Sequence, residues 1–348
     1  MDSSKPVITK ETKNRISVDY EGKLSFKERL IKKLKASHTW IKAVVNVFRF
    51  ILMLGVSYVI LFPFFSKIAG SFMDKPDVVD ATVSLIPKHP TLQIYEKVIT
   101  ENGYFEAFFN TLLLSLLCAL IQTFVACLVG YGLAKFKFKG NGIVMALVIV
   151  TMIVPHTTLE LSMVRHFNTF ELGHIMSFGH QGLFQTIFGE RIVLENTFWP
   201  FVILSIGGLA FKNGLYIYLM RQFFKGVPDE LEESAYVDGS GTFRTFLQII
   251  LPLSVPMMIT VFLFSFSWQW TDQFYVGMFI NDSEILRMFP DIKTVPPSLY
   301  DKQFAGYELY DNIIHNTVGI MIIFPLVIMY LFCQKYLVQG IERSGLVG

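Results

Sequence analysis

The run PDELEESAYVDGSGTFRTFLQIILP, residues 228–252, gathers four carboxylates, Asp229, Glu230, Glu232 and Glu233, within five positions of an otherwise apolar chain. Pro228 suits the first turn of a helix, where its missing N–H is no loss, and the acids follow at the end where the helix dipole favours anions. Gly239 and Gly241 flank Ser240 and permit a sharp turn. Beyond the turn, Phe243, Phe246, Leu247, Ile250 and Leu251 recur at the spacing of one helical face. The pattern predicts a helix, a turn and a second helix rigidly continuous with an apolar span. A short acidic helix with small residues is able to insert into a partner's cleft, and its link to the span is able to transmit movement. The alternative, an amphipathic hairpin lying on the membrane, has to place an acidic surface against anionic lipid.

Other groups invite weaker readings. Lys212 and Asp272 lie in or near apolar spans, where a charge usually faces a bundle interior or an aqueous cavity. With Asn213 and Trp270 they are the candidate translocation-pathway residues. The alternative has Asp272 capping or at the outer interface and Lys212 snorkelling. Trp268 and Trp270 offer faces for stacking on sugars, although an interfacial aromatic belt accounts for them better. His156, Glu160 and Arg165 could form a proton relay, with an interface cluster as the plainer reading. His166, His174 and His180 lack the helical pairing or cysteine partners of a metal site. No G-x-x-x-x-G-K-[ST], H-E-x-x-H or G-x-S-x-G occurs. The chain is expected to be no enzyme and to bind no metal or cofactor of its own.

These residues have to be positioned by a membrane protein. Of 348 residues, 52% are hydrophobic and 15% aromatic, with 17% charged and mean hydropathy +0.48. A net charge of +2 gives no case for nucleic-acid binding. Apolar runs near 48–71, 107–134, 142–164, 199–220, 249–272 and 313–335 are each long enough to cross the bilayer. Six transmembrane helices are therefore predicted, in an all-α polytopic fold. Placing both termini in the cytoplasm puts the lysines and arginines of 27–42, 135–139, 221–244 and 335–343 inside. Acidic connections 73–106 and 273–312, with prolines and aromatics, then face outward as ordered loops. Residues 1–42 form a basic tail with an amphipathic stretch from Leu24 to Leu34, read as a solvated anchor to the lipid surface. Cys118, Cys127 and Cys333 fall in apolar runs and are read as small packing residues. No signal peptide is visible.

The spacing Glu233-Ser234-Ala235, three residues, Gly239, nine residues, Ile249-Ile250-Leu251-Pro252 resembles the EAA loop of ATP-binding-cassette importer permeases, with Ser234 the one departure. Asn110-Thr111-Leu112-Leu113, Gly130-Tyr131-Gly132-Leu133-Ala134-Lys135-Phe136, Leu219 to Phe224, Trp270-Thr271-Asp272 and Gln334 to Gly340 are similar to maltose-type carbohydrate permeases over roughly residues 50–348. The resemblance implies a type I ABC importer permease fold: a tail (1–42), a first transmembrane helix with its extracellular loop (43–106), a core permease domain (107–337) carrying the coupling loop 221–248, and a short C-terminal tail (338–348). It implies partners: ABC ATPase subunits that use the ATP, a second permease subunit forming a heterodimer, an extracellular solute-binding protein, and the lipid of a bacterial plasma membrane. The ATPase-coupling residues carried over are Glu232, Glu233, Ser234, Ala235, Asp238, Gly239, Leu251 and Pro252. Glu233 is expected to pair with the ATPase, Ala235 to permit its close approach and Gly239 to make the turn. The implied cargo is a carbohydrate, an oligosaccharide first, with a polyol or glycerophosphate compound as the alternative and an ATPase-independent secondary transporter further behind. The tail and the 165–198 and 273–312 connections are longer than the family's short forms, and the outer ones are expected to enlarge the docking surface.

Overall fold

The computed structural model describes residues 8–11, 17–20, 37–168 and 193–345. Two compact units are present, Met1–Ser66 and Lys67–Gly348. The first holds a feature the all-α expectation lacked: strands β1 (Ile8–Glu11) and β2 (Ser17–Tyr20) pair antiparallel, Ile8 opposite Tyr20 and Glu11 opposite Ser17. The β-branched Ile8, Thr9 and Val18 suit that pairing. The amphipathic stretch 24–34 lies outside the described residues. Helix α1 (Ser37–Gly70) begins inside the predicted tail, and residues 44–65 are exposed on every face, the pattern of a helix solvated by lipid.

In the second unit α4 (Tyr104–Lys135) is the central post, packing against α8 (Asn213–Lys225), α11 (Leu251–Trp270) and α7 (Trp199–Ile206). Gly130 lets α4 and α8 approach closely, because a Cβ there would stand 2.7 Å from the Cβ of Met220. Helix α13 (Tyr307–Gly345) lies against α11 and extends through most of the segment predicted as a short tail. Among the described residues four helical stretches are long and apolar enough to cross a membrane: Val44–Gly70, Tyr104–Lys135, Thr242–Trp270 and Tyr307–Leu337.

The predicted third and fourth spans are not single helices. The third is α5 (Asn141–Ile153), a break, a 3₁₀ turn (His156–Leu159) and α6 (Glu160–Asn168), with a bend of 95°. Pro155 has no N–H to continue α5 and forces Val154 into an extended conformation, φ −66° and ψ 119°. The fourth span separates into α7 and α8 around 207–212, where Gly208 and Lys212 both have positive φ, 70° and 64°. Apolar content alone could not reveal either interruption.

The connections predicted to face outward are ordered and joined. They carry α2 (Lys75–Val79), α3 (Gln93–Glu101), α12 (Phe274–Phe279) and two 3₁₀ turns (Asp291–Lys293 and Pro297–Leu299). The Asn102 amide donates to the carbonyls of Ile292 (3.0 Å) and Thr294 (2.6 Å). Glu101 accepts from the Ser298 N–H at 3.0 Å, and Lys75 pairs with Asp301 at 3.0 Å. Beneath them Trp270, Phe289, Ile292 and Tyr310 form a fully buried core. The loop grouped by sequence with the first helix thus packs with the second unit. Segment 169–192, most of the 165–198 connection and including His174 and His180, lies outside the described residues.

Candidate functional site

The acidic loop folds as helix, turn and helix. Helix α9 (Glu230–Val237) starts as the N–H groups of Glu232 and Glu233 both bond the Asp229 carbonyl at 3.0 Å. It ends with the Ser240 N–H on the Ala235 carbonyl (2.9 Å) and the Gly239 N–H on that of Tyr236 (3.0 Å), with Gly239 at φ 84°. This is the Schellman arrangement, in which the left-handed position falls to glycine. The second helix is not the uninterrupted lever predicted. Helix α10 (Thr242–Thr245) leads into a π turn over Phe246–Ile250, where the Leu251 N–H reaches the Phe246 carbonyl, and only then into α11. Pro252 lacks an N–H and its ring crowds the carbonyl four residues back, which opens the turn before it. Phe246 packs its ring 4.8 Å from that of Tyr131 on α4, and Phe246 and Ile250 are buried while Phe243 is exposed.

One lysine holds the acidic helix to the span bundle. Lys135, at the end of α4, donates to the Val227 carbonyl at 2.6 Å and to Asp229 at 2.5 Å, with Glu232 at 3.8 Å. Its side chain is 7% exposed, against 78% for Asp229 and 10% for Glu232. The Lys135 hydrogen bond and charge hold the Asp229 carboxyl below its usual range. Burial pushes that of Glu232 up despite Lys135. The carried-over residues therefore divide by direction. Glu232 and Ala235 face the chain itself, whereas Glu233, Ser234, Asp238 and Gly239 are exposed. Ala235 is 5% exposed and packs within this chain. Leu251 is half-buried and Pro252 exposed at the start of α11.

The four pathway candidates do not come together as one site. Trp270 is 2% exposed, its indole N–H on the Ile322 carbonyl at 2.9 Å, among the rings of Phe108, Phe266 and Phe289. Asp272 caps α12, accepting from the N–H groups of Phe274 (2.9 Å) and Tyr275 (3.1 Å). Asn213 is fully buried and returns its amide to the Ser205 carbonyl (3.3 Å), which also takes the Gly208 N–H (3.3 Å) where α7 ends. Lys212 alone is exposed, its ammonium 4.9 Å from the ring centroid of Phe211 and 5.2 Å from that of Trp268.

Two buried contacts escaped the sequence reading. Gln122, a polar residue inside an apolar run, is a buried junction: its amide donates to Ser205 on α7 (3.1 Å) and its oxygen accepts from Ser265 on α11 (2.7 Å). Polarity at that depth was the available signal. His156 pairs with the Tyr275 hydroxyl and lies 5.1 Å from the Phe211 ring, so its partner is α12 and not a relay carboxylate. No group of metal-ligating side chains occurs among the described residues. Cys118 and Cys127 are buried packing residues and Cys333 is half-buried, all three as free thiols.

Comparison with known proteins follows the same architecture. The chain is similar to the galactooligosaccharides transport system permease protein GanQ of Bacillus subtilis, 26% identical over 309 residues, covering 87% of this chain and 95% of the relative. It is 27% identical over 304 residues to the arabinooligosaccharides transport system permease protein AraQ of the same organism, covering 86% and 94%. A probable starch degradation products transport system permease protein, AmyC of Thermoanaerobacterium thermosulfurigenes, is 28% identical over 301 residues, covering 85% and 96%. A bacterial ABC transporter involved in the import of the acidic polysaccharide alginate shares the fold at TM-score 0.62 and 20% identity, over 86% of this chain and 98% of that one. The profile of the binding-protein-dependent transport system inner membrane components spans residues 122–343. The chain is a multi-pass membrane protein of that family, an ABC transporter permease and not an enzyme.

Proposed function

We propose that this chain is one permease subunit of an ATP-driven oligosaccharide importer of a bacterial plasma membrane, and that α9 is the helix through which a separate ATPase drives it. The observation that carries the coupling is the division of the acids on α9. Asp229 and Glu232 turn to Lys135 within the chain, which leaves Glu233, beside the small exposed Ser234, free to meet a basic or hydrogen-bonding group of a partner. Movement imposed there has a short route into α11 through Gly239 and the buried Phe246 and Ile250. The cargo class rests on the relatives, whose names specify galacto-oligosaccharides, arabino-oligosaccharides and starch degradation products. These favour an oligosaccharide over a polyol or glycerophosphate compound and over a secondary transporter.

The complete assembly on this reading contains two ATPase subunits, a second permease and an outer solute-binding protein. A bound periplasmic protein is part of the alginate transporter structure that shares this fold at TM-score 0.57. The ordered layer of 71–103 and 281–306 is the surface we assign to such a protein. Glu233→Lys is expected to abolish substrate-stimulated ATP hydrolysis in the purified assembly while leaving membrane insertion and subunit yield intact. Normal uptake by that variant would overturn the contact.

A further inference from the structure

We propose that Tyr131 is a positioning residue for the coupling: its hydroxyl is the open half of a latch that closes on the Glu232 carboxylate when a partner presses α9 toward the bundle, and its ring carries that movement to the entry of α11. Such a latch presupposes the ATPase coupling of α9 set out above.

Buried hydrogen-bonding groups are nearly always satisfied, and one that is not marks strain or a function. On the inner face of α9 a donor and an acceptor are left open together. The Tyr131 hydroxyl and Glu232 Oε1 are both buried with no hydrogen-bond partner among the described residues. Lys135 does not complete Glu232, because its ammonium stands 3.8 Å from that same Oε1, beyond hydrogen-bond length. The Tyr131 hydroxyl faces α9, where Glu232 and Tyr236, one turn apart, are the groups that act on it electrostatically. Of the two, Tyr236 is 41% exposed and open to water, whereas Oε1 of Glu232 is shut away from it. A phenol O–H donating to a carboxylate also makes the stronger, charge-assisted bond.

Which side moves follows from the packing. Tyr131 is fixed: Gly130 beside it holds α4 against α8, and its ring meets Phe224 at 5.5 Å, Phe136 at 5.6 Å and Phe246 at 4.8 Å. Helix α9 is two turns long, and the grip of Lys135 on Val227 and Asp229 holds it just short of the Tyr131 contact. Its outer face carries the exposed Glu230, Glu233, Ser234 and Val237, while Glu232 and Ala235 face the bundle. Pressure from a partner on the outer face therefore drives Glu232 toward Tyr131 and Lys135 together. Closure gives the hydroxyl its acceptor and the carboxylate its donor, and a buried group left open is the costlier state. Phe246, whose ring lies on that of Tyr131, begins the π turn that leads into α11. The closed latch thus joins α9 to the start of the span through one aromatic contact, and the π turn, a geometry frequent at functional sites, is the part able to yield.

The test uses the assembly purified with its co-purifying partners in lipid nanodiscs, at rest and trapped with ATP and orthovanadate. Trapping is expected to slow amide exchange across 230–237 about fivefold in the parent and less than about twofold in Tyr131→Phe, with the resting rates equal. Tyr131→Phe keeps the ring and removes a hydroxyl that has no partner at rest, so the resting thermal midpoint is expected to hold or rise while ATP hydrolysis falls about tenfold. Glu232→Ala is expected to lower hydrolysis as well, and adding Tyr131→Phe to it to cost no more than about a further twofold. Equal slowing in parent and Tyr131→Phe, or losses that multiply in the double variant, would overturn the latch. So would a resting midpoint that falls with hydrolysis, since the hydroxyl would then be a static contact. If trapping leaves 230–237 unchanged in the parent, the coupling reading itself falls, and the latch with it.

Discussion

The two ends of α11 are held in opposite ways. At Trp270 the chain is braced many times over: Asn102 spans to Ile292 and Thr294, Glu101 to Ser298, Lys75 to Asp301, and Arg287 to Glu106 at 3.4 Å. At Leu251 the acidic helix meets the bundle through Lys135, the buried Ala235 and the seat of Phe246. Redundant hydrogen bonds rigidify, whereas an element with fewer ties opens at lower cost. The difference fits a platform at one end and a movable lever at the other, and each prediction below tests one side of it.

The largest effect belongs to the platform. Trp270→Ala removes a fully buried indole and leaves the Ile322 carbonyl without its donor. A loss of about 3–5 kcal/mol is expected from the cavity and the lost bond. Thermal unfolding of the purified chain, followed by tryptophan-independent near-native gel mobility, should show the midpoint fall steeply. A midpoint within a degree or two of the parent would mean that the layer above is not braced on Trp270.

At the lever, Lys135→Ala leaves Glu232 buried without a cation and frees Asp229. The loss expected is about 1–3 kcal/mol, local to the loop, with little change in the overall unfolding midpoint. Substrate-stimulated ATP hydrolysis should drop at least tenfold. Lys135→Arg should retain most of it, and Glu232→Gln added to Lys135→Ala should recover part by removing the stranded carboxylate. A double variant no better than Lys135→Ala would show that the lysine acts only as packing.

How much of this could be read from sequence differs between the ends in the same physical way. The acidic helix and the Gly239 turn were legible because dipole and turn are local properties, whereas the π turn before α11 was not. Lys135 read only as one of several inner positive charges, since its tie to Val227, Asp229 and Glu232 joins positions about ninety residues apart. The breaks at Pro155 and Gly207–Gly208 contain visible breakers, yet hydropathy counted through them. Trp270 read as an interfacial ring or a pathway candidate, because its burial is set by Phe108, Phe289 and Ile322, none of them near in sequence.

Acid should unsettle the platform through Asp77. Burial alone raises its carboxyl, but the His89 N–H, the His89 ring at 2.7 Å and the Lys88 N–H together hold it below the ordinary value. A depressed carboxyl adds stability above its unfolded pKa and gives it up as pH falls through the folded one. The midpoint of the parent should therefore decline below about pH 4, and Asp77→Asn should lie lower at neutral pH with a flatter acid limb. Parallel curves for the two would remove Asp77 from the account.

The smallest effect sharpens the lever. At Gly239 an added Cβ meets no atom within 4 Å, so the cost of Gly239→Ala comes from φ 84° alone. Left-handed backbone costs a residue with a side chain about 1–2 kcal/mol. The Schellman bonds from Ser240 and Gly239 then loosen while Lys135 keeps its grip on the start of α9. Hydrogen exchange should accelerate at 238–242 and stay unchanged at 292–299, with hydrolysis lowered severalfold at most. Gly239→Asn should fall between parent and alanine variant, because asparagine tolerates this conformation better. If both substitutions abolished hydrolysis, the turn would be a partner contact in its own right, and the lever would have a second point of attachment.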